Sequence, residues 1–223
     1  MKYVIMCGGN YHYWDYPKQL TRIHREPLVV RTTRLLKENG IDAKDIIVTA
    51  SKETAPEFMR YCDNVRVCSR NIYEVTKPDV FTGYWTNCFL QDLCPITYLM
   101  GDVVFSPEAI RTIVETETDD IEFFASAPPF AKNYIKKWAE PFAFKVVDYW
   151  HLRKAIHEFE VLTTKGKFNR NPIAWEFWQV VKGTELNKID YTNYTVINDY
   201  TCDIDTPDDI KKFEGGEEWQ KKN

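Results

Sequence analysis

The sequence predicts an α/β chain built on a doubly wound parallel sheet, and three observations carry that prediction. Short apolar runs recur through the first half, at Lys2–Met6, Ile46–Ala50, residues 65–68 and Ile96–Met100. Each is of strand length, and turn or loop residues separate one from the next. Between the first two runs the pattern turns helical: from Pro27 onward Leu28, Thr32, Leu35 and Leu36 share one face, with Arg31, Arg34 and Lys37 on others. Helix punctuation agrees, with Asn39-Gly40 as a stop and Ser106-Pro107-Glu108 as a cap and start. Strand and helix alternating at this spacing give βαβ units, hence parallel strands.

The elements follow in order. Lys2–Met6 is a buried strand that ends at Gly8-Gly9, and residues 46–50 and 65–68 are the second and third strands. Residues 96–100 are the fourth, running into Gly101-Asp102. Ser106 then caps a helix whose buried stripe is Ile110, Ile113 and Val114. In the second half, residues 121–127 and 142–147 read as strands, and 150–158 and 172–182 as helices. Thr206-Pro207-Asp208-Asp209 opens a last short helix with Ile210 and Phe213 inward. The polar tail from Gly215 is expected to fray.

Composition excludes several classes. With 223 residues, 44% apolar and 28% charged, the chain suits one well-filled domain, residues 1–223. A net charge of −4 gives no basic excess for a nucleic-acid partner. No run approaches the roughly 18 apolar residues of a membrane span. The start has one lysine and only five apolar residues between it and Gly8, too few for a signal peptide. The expected compartment is therefore the cytoplasm. The six cysteines form no C-x-x-C pair, and they are expected to be reduced thiols in the core.

Chemistry belongs beyond the carboxyl ends of the strands, where open parallel sheets bind ligands. Two loops there carry suitable groups. In Cys7-Gly8-Gly9-Asn10 the paired glycines let backbone N–H groups face a phosphate, and Lys18 of Pro17-Lys18-Gln19-Leu20 can neutralise it. An ordinary glycine turn with a solvated lysine is the alternative. In Gly101-Asp102, a carboxylate directly follows a buried strand and Gly101 leaves room for a bound group, unless Asp102 merely makes a turn. A third acidic group is Asp199, Asp203 and Asp205. Asp203 and Asp205 flank Ile204, so in extended chain both point to one side, and like charges so placed call for a cation. With Asp102 they make an all-oxygen donor set that suits Mg²⁺. Asp205 can instead cap the helix at Thr206-Pro207.

Taken in order, these segments resemble the nucleotidyltransferases of the GT-A fold, such as the sugar-phosphate, choline-phosphate and methylerythritol-phosphate nucleotidylyltransferases. The matching pieces are the glycine loop, Pro17-Lys18-Gln19-Leu20, Glu26-Pro27-Leu28, Ile46-Ile47-Val48-Thr49, Gly101-Asp102 and Asp203-Ile204-Asp205-Thr206-Pro207-Asp208-Asp209-Ile210. The resemblance spans nearly the whole chain. It implies a three-layer sandwich around a mostly parallel, mixed sheet, with residues 1–118 binding nucleotide and residues 119–214 binding acceptor. It also implies transfer of a nucleoside monophosphate from a nucleoside triphosphate to a phosphorylated small molecule, with Mg²⁺ as cofactor. By position, Gly8, Gly9 and Asn10 meet the base and triphosphate, Lys18 steadies the phosphates, and Thr82 and Gly83 contact the nucleoside. Asp102 binds the metal with Asp203 or Asp205.

The family's loop commonly reads Gly-x-Gly-x-Arg before Pro-Lys. Here Asn10-Tyr11-His12-Tyr13-Trp14-Asp15-Tyr16 stands in that place, without the arginine, leaving His12, Arg22 or Arg25 as replacement cations. The second half is rich in aromatics, most of them expected in the core. Two or three, Trp175 among them, are expected to line an acceptor pocket, with Lys145 and Arg170 meeting the acceptor phosphate. The absence of a hexapeptide-repeat extension favours CTP, by resemblance alone. A sugar phosphate or phosphocholine-like compound is the acceptor that the resemblance suggests, in the biosynthesis of cell-surface polysaccharide precursors, and a homodimer stays open. A GT-A glycosyltransferase and a non-catalytic nucleotide-binding module are the rival readings.

Overall fold

The computed structural model describes residues 1–8, 14–68, 88–126, 140–168, 172–186 and 193–214. Their centre is a seven-stranded sheet of order β10-β8-β9-β6-β1-β4-β5. Its strands are β1 (Lys2–Met6), β4 (Ile46–Ala50), β5 (Val65–Val67), β6 (Ile96–Met100), β8 (Ile121–Ser126), β9 (Pro141–Val146) and β10 (Thr195–Ile197). β1 pairs in parallel with β4 and with β6, placing Met6 beside both Thr49 and Met100. β4 pairs in parallel with β5, and β10 with β8. β9 runs antiparallel to both β6 and β8, which makes the sheet mixed but mostly parallel, as expected. The residues of β4, β6 and β9 are all buried, the signature of strands covered on both faces.

The helices are α1 (Leu28–Glu38), α2 (Ala55–Phe58), α3 (Pro107–Glu115), α4 (Tyr149–Thr164), α5 (Ala174–Lys182) and α6 (Pro207–Glu214). The expected punctuation holds. Gly40 stands at φ +82, with its N–H on Lys37 O, while Ile41 N–H reaches Leu36 O. Ser106 Oγ accepts from Ala109 N–H at 2.8 Å at the start of α3. α4 is longer than the expected 150–158. Asp148 caps it early, accepting from Trp150 and His151 N–H, and its buried stripe of Leu152, Ala155, Ile156 and Phe159 carries it on. α5 starts later than 172 because Ile173 is still extended and its N–H is taken by Glu176.

The core contains a column of rings. Tyr98 and Phe123 stack on Phe144 at 4.7 and 5.3 Å, and Trp178 stacks on Phe123 at 5.3 Å. Phe142, Phe144, Phe177 and Trp178 are buried, so the core reading of these second-half aromatics is right. Trp150 is the departure, at 73% exposed.

A smaller cluster, Trp14, Ile23, Leu28, Val104, Cys202, Ile204 and Phe213, joins the start of the chain to its end. Beside it lie two small antiparallel pairs, β2 (Arg22–Ile23) with β3 (Glu26–Pro27) and β7 (Val103–Val104) with β11 (Cys202–Asp203). Among the described residues no helix is long and apolar enough to cross a membrane.

Strand order fixes where a site can form. From β1 the chain steps through β4 to β5 on one side, and from β6 it steps past β9 to β8 on the other. The succession therefore reverses between the neighbours β1 and β6. The crevice beyond their carboxyl ends is the switch point at which open α/β sheets bind ligands. Gly8 lies at the end of β1 and Asp102 at the end of β6.

Candidate active site

Three segments far apart in sequence meet at this crevice. The first is β1 with Cys7 and Gly8 after it, and the segment from Trp14. Cys7 N–H donates to Thr49 O at 2.8 Å, and Gly8 is buried. Pro17 leads into a 3₁₀ turn, Lys18–Leu20, in which Lys18 and Gln19 are buried. The second is Gly101-Asp102. Gly101 N–H donates to Met6 O at 3.0 Å, and a Cβ on Gly101 would lie 2.5 Å from Met6 O and 2.6 Å from Cys7 Sγ. The glycine is required there because β1 presses against it. The expectation that it clears space for a ligand is corrected, since the neighbouring strand fills that space.

The third segment arrives through the β7–β11 ladder, Val103 opposite Asp203 and Val104 opposite Cys202. Ile204 N–H extends the ladder by donating to Asp102 O at 2.9 Å. Asp203 and Asp205 are thereby brought to the strand end that carries Asp102.

Lys18 ties the three together. Its ammonium lies 2.6 Å from Asp102 Oδ2, donates to Ile204 O at 3.0 Å and is 3.9 Å from Asp205 Oδ1. The lysine is 2% exposed, so the solvated alternative is wrong. A buried ammonium needs such oxygens, because desolvating a charge without partners costs several kcal/mol.

Trp14 is the residue that sequence reasoning missed. It is buried, its Nε1–H donates to Asp205 O at 3.1 Å, and its ring packs against the small cluster. The loop is thus fastened directly to the acidic segment. Its only sequence signal was a lone Trp among the aromatics of residues 10–16.

The acidic group divides by role. Asp199 accepts from Ser106 Oγ at 2.5 Å and from Thr201 N–H at 2.7 Å, so it braces the start of α3 and stands apart from the other two. Asp209 accepts from Asp205 N–H, Thr206 N–H and Thr206 Oγ1 at 3.1, 2.8 and 3.0 Å. That is a cap reached back from the third helical position. Asp209, not Asp205, caps α6, and the Asp205 carboxylate turns toward Lys18 instead. Among the described residues no three acidic, Cys or His side chains are grouped to hold a metal ion. The two carboxylates about Lys18, Asp102 and Asp205, are hard oxygen donors. They fit Mg²⁺, which is commonly held by one or two carboxylates with substrate phosphates and water supplying the rest.

The acceptor residues fare differently. Lys145 is corrected: it sits in β9 opposite Thr97, at the far end of β6 from Asp102. Its ammonium donates to Val114 O at 3.2 Å and Thr116 O at 2.5 Å, holding the C-terminus of α3. Burial lowers its pKa, and it is 3% exposed. Trp175 is half-buried in α5 with its ring 5.8 Å from that of Trp178, which favours packing. Gly9, Asn10, His12, Thr82, Gly83 and Arg170 lie outside the described residues. Arg22, named as a replacement cation, donates to Arg25 O at 2.6 Å. It lines a shallow cavity of 440 Å³ with Tyr16, Thr21, Glu57, Arg60 and Tyr61.

No family model and no curated protein matches the chain in sequence. Solved structures are similar to it in fold. A CTP:phosphocholine cytidylyltransferase from Streptococcus pneumoniae superposes with a TM-score of 0.52 at 17% identity, over 96% of this chain and 97% of that one. The inositol-1-phosphate CTP transferase from T. maritima gives 0.57 at 13%, over 96% of each chain. A UDP-glucose pyrophosphorylase from Acinetobacter baumanii gives 0.53 at 13%, over 95% and 91%. At such identities the likeness is one of architecture, and this chain has the mixed α/β fold of these nucleotidyltransferases.

Proposed function

We propose that this chain is a nucleotidyltransferase that moves a nucleoside monophosphate from a nucleoside triphosphate to a phosphorylated small molecule and releases pyrophosphate. The observation that carries the reading is the convergence of Lys18, Asp102 and Asp205 at the switch point, beside Gly8. A basic group, carboxylates and a glycine at one strand edge are what a triphosphate requires: donors for its oxygens and donors for a counter-cation.

In the proposed reaction an oxygen of the acceptor phosphate attacks the α-phosphorus in line, and the bond from that phosphorus to the pyrophosphate oxygen breaks. No general base is needed, since a phosphate oxyanion is already nucleophilic at neutral pH. Lys18 offsets charge on the departing pyrophosphate, and the Ile204 carbonyl and Asp102 carboxylate hold its ammonium in place. Trp14, through Asp205 O, keeps the loop and the acidic segment in register. Asp102, with Asp203 or Asp205, would hold Mg²⁺, which when bound offsets negative charge on the reacting phosphates.

Residues 1–118 serve the nucleotide in this reading and residues 119–214 the acceptor, within one cytoplasmic enzyme. CTP is the favoured donor, in keeping with two neighbours whose names carry CTP. A sugar phosphate or phosphocholine-like compound is the favoured acceptor. The test is a scan of the four nucleoside triphosphates with Mg²⁺ against phosphorylated acceptors, following pyrophosphate. Pyrophosphate that depends on an acceptor supports the proposal. Release of nucleoside diphosphate from a nucleotide sugar instead overturns it in favour of glycosyl transfer.

A further inference from the structure

All six cysteines are free thiols, in keeping with the expected reduced state, and two of them are neighbours. Cys68 follows β5, its N–H on Ala50 O at 2.8 Å, and Cys88 stands next to Phe89 of the core. They are 20 positions apart in sequence, and their sulfurs share a hydrogen bond at 3.5 Å. Both are buried, at 7% and 3% exposed, and neither is in a disulfide.

The surroundings make the two thiols unequal. Hydrogen bonds from Cys88 and Thr49 lower the Cys68 pKa, while the same pairing together with burial pushes Cys88 well up. Cys68, the less buried of the two at 7% against 3% exposed, is the sulfur that an oxidant reaches first, and Cys88 is the one that resolves it. The Gly8 backbone N–H acts the other way on Cys88, lowering its pKa, which sets this sulfur beside the candidate site. Cys7 and Cys62 are the other thiols in this region, and burial raises both, Cys62 to about 11.

We propose that Cys68 and Cys88 are a redox-active dithiol that hydrogen peroxide closes reversibly to a disulfide, and that closure loosens the backbone at Gly8. The Cys68 sulfur attacks one peroxide oxygen, the O–O bond breaks, and the departing hydroxide takes the thiol proton as water. The Cys88 sulfur then attacks Cys68, the S–O bond breaks, and a second water leaves with the Cys88 proton. Two thiols and one peroxide give one disulfide and two waters. The sulfurs must close from 3.5 Å to the ~2.05 Å of a disulfide, which draws Cys88 toward Cys68 and away from Gly8. That Gly8 meets a triphosphate rests on the function proposed above; the dithiol itself does not.

The test uses the unaltered protein. It is exposed to equimolar peroxide, quenched with an alkylating agent and mapped by peptide mass. The expected result is a Cys68–Cys88 crosslink lighter by two hydrogens, reversed by dithiothreitol and absent in Cys68→Ser and Cys88→Ser. Recovery of both residues alkylated, or oxidation confined to Cys62 or Cys94, overturns the dithiol. Amide hydrogen exchange of the peptide holding Gly8 then compares the reduced and oxidised forms. Faster exchange after oxidation supports the loosening, and identical exchange overturns it, whatever the enzyme assay shows. Loss of acceptor-dependent turnover only in the oxidised form would join the two readings. A reduced form without turnover counts against the function and leaves the crosslink standing.

Discussion

Lys18 concentrates both structure and proposed chemistry in one ammonium, because the oxygens that hold it are those of Asp102, Ile204 and the Asp205 side chain. Lys18→Met and Asp102→Asn are each expected to lower pyrophosphate release by ~10²–10³. The double variant should fall little below either single one, since paired groups act as a unit. Additive losses in that cycle would mean that the two residues act separately. Stability must be read beside turnover, as breaking the pair strands a partly buried carboxylate. Lys145 is the contrasting case. Lys145→Met is expected to lower unfolding stability by about 1–3 kcal/mol, for the lost charged hydrogen bonds to α3, with no change in acceptor KM. A raised KM without loss of stability would restore it to the acceptor site.

At the scale of elements, strand ends and helix caps set the positions of these groups. Gly101→Ala places a methyl against Met6 O, which belongs to backbone and cannot swing away. A cost of about 1–3 kcal/mol is expected in denaturant unfolding, as for overpacking elsewhere. The turn before α1 has its own tie. Arg34 Nε and NH2 each donate to a Glu26 oxygen at 2.9 Å, and this hydrogen-bonded pairing lowers the Glu26 pKa. A carboxylate whose pKa falls on folding contributes stability above its unfolded value of ~4.3 and loses it as pH drops through the folded value. Because the side chains are 43% and 27% exposed, solvent screening limits the contribution to about 0.5–1 kcal/mol. Glu26→Gln should therefore match the parent protein below that window and be less stable above it, in melts taken from acid to neutral pH. Equal stability at neutral pH would show that the pair contributes nothing.

At the scale of the whole molecule, the candidate site exists because the end of the chain returns to its beginning. Trp14 closes that return with a ring in the small cluster and an N–H on Asp205. Trp14→Ala is expected to cost about 3–5 kcal/mol, the usual range for a buried Trp. Trp14→Phe keeps most of the packing and should lose about 1 kcal/mol for the hydrogen bond. If the closure matters for turnover, Trp14→Phe also lowers the rate while the protein stays folded by circular dichroism. Full activity in that variant would reduce Trp14 to a packing residue.

The sequence by itself determined the elements and their order. Apolar runs of strand length, the face of Leu28, Thr32, Leu35 and Leu36, and the caps at Gly40 and Ser106 are local features, and local sterics and hydrogen bonding read them out directly. It also marked Lys18, Asp102 and Asp205 as candidates by residue type. Only the tertiary structure decided which polar groups converge, because that depends on strand order and on ladders between distant segments. The β7–β11 pairing and the Lys18 ammonium gather Asp102 and Asp205. Ser106 draws Asp199 away, α3 claims Lys145, and Asp209 takes the cap that was the alternative role for Asp205. Each of those outcomes is a competition for one partner, and a one-dimensional pattern cannot say which partner stands nearest.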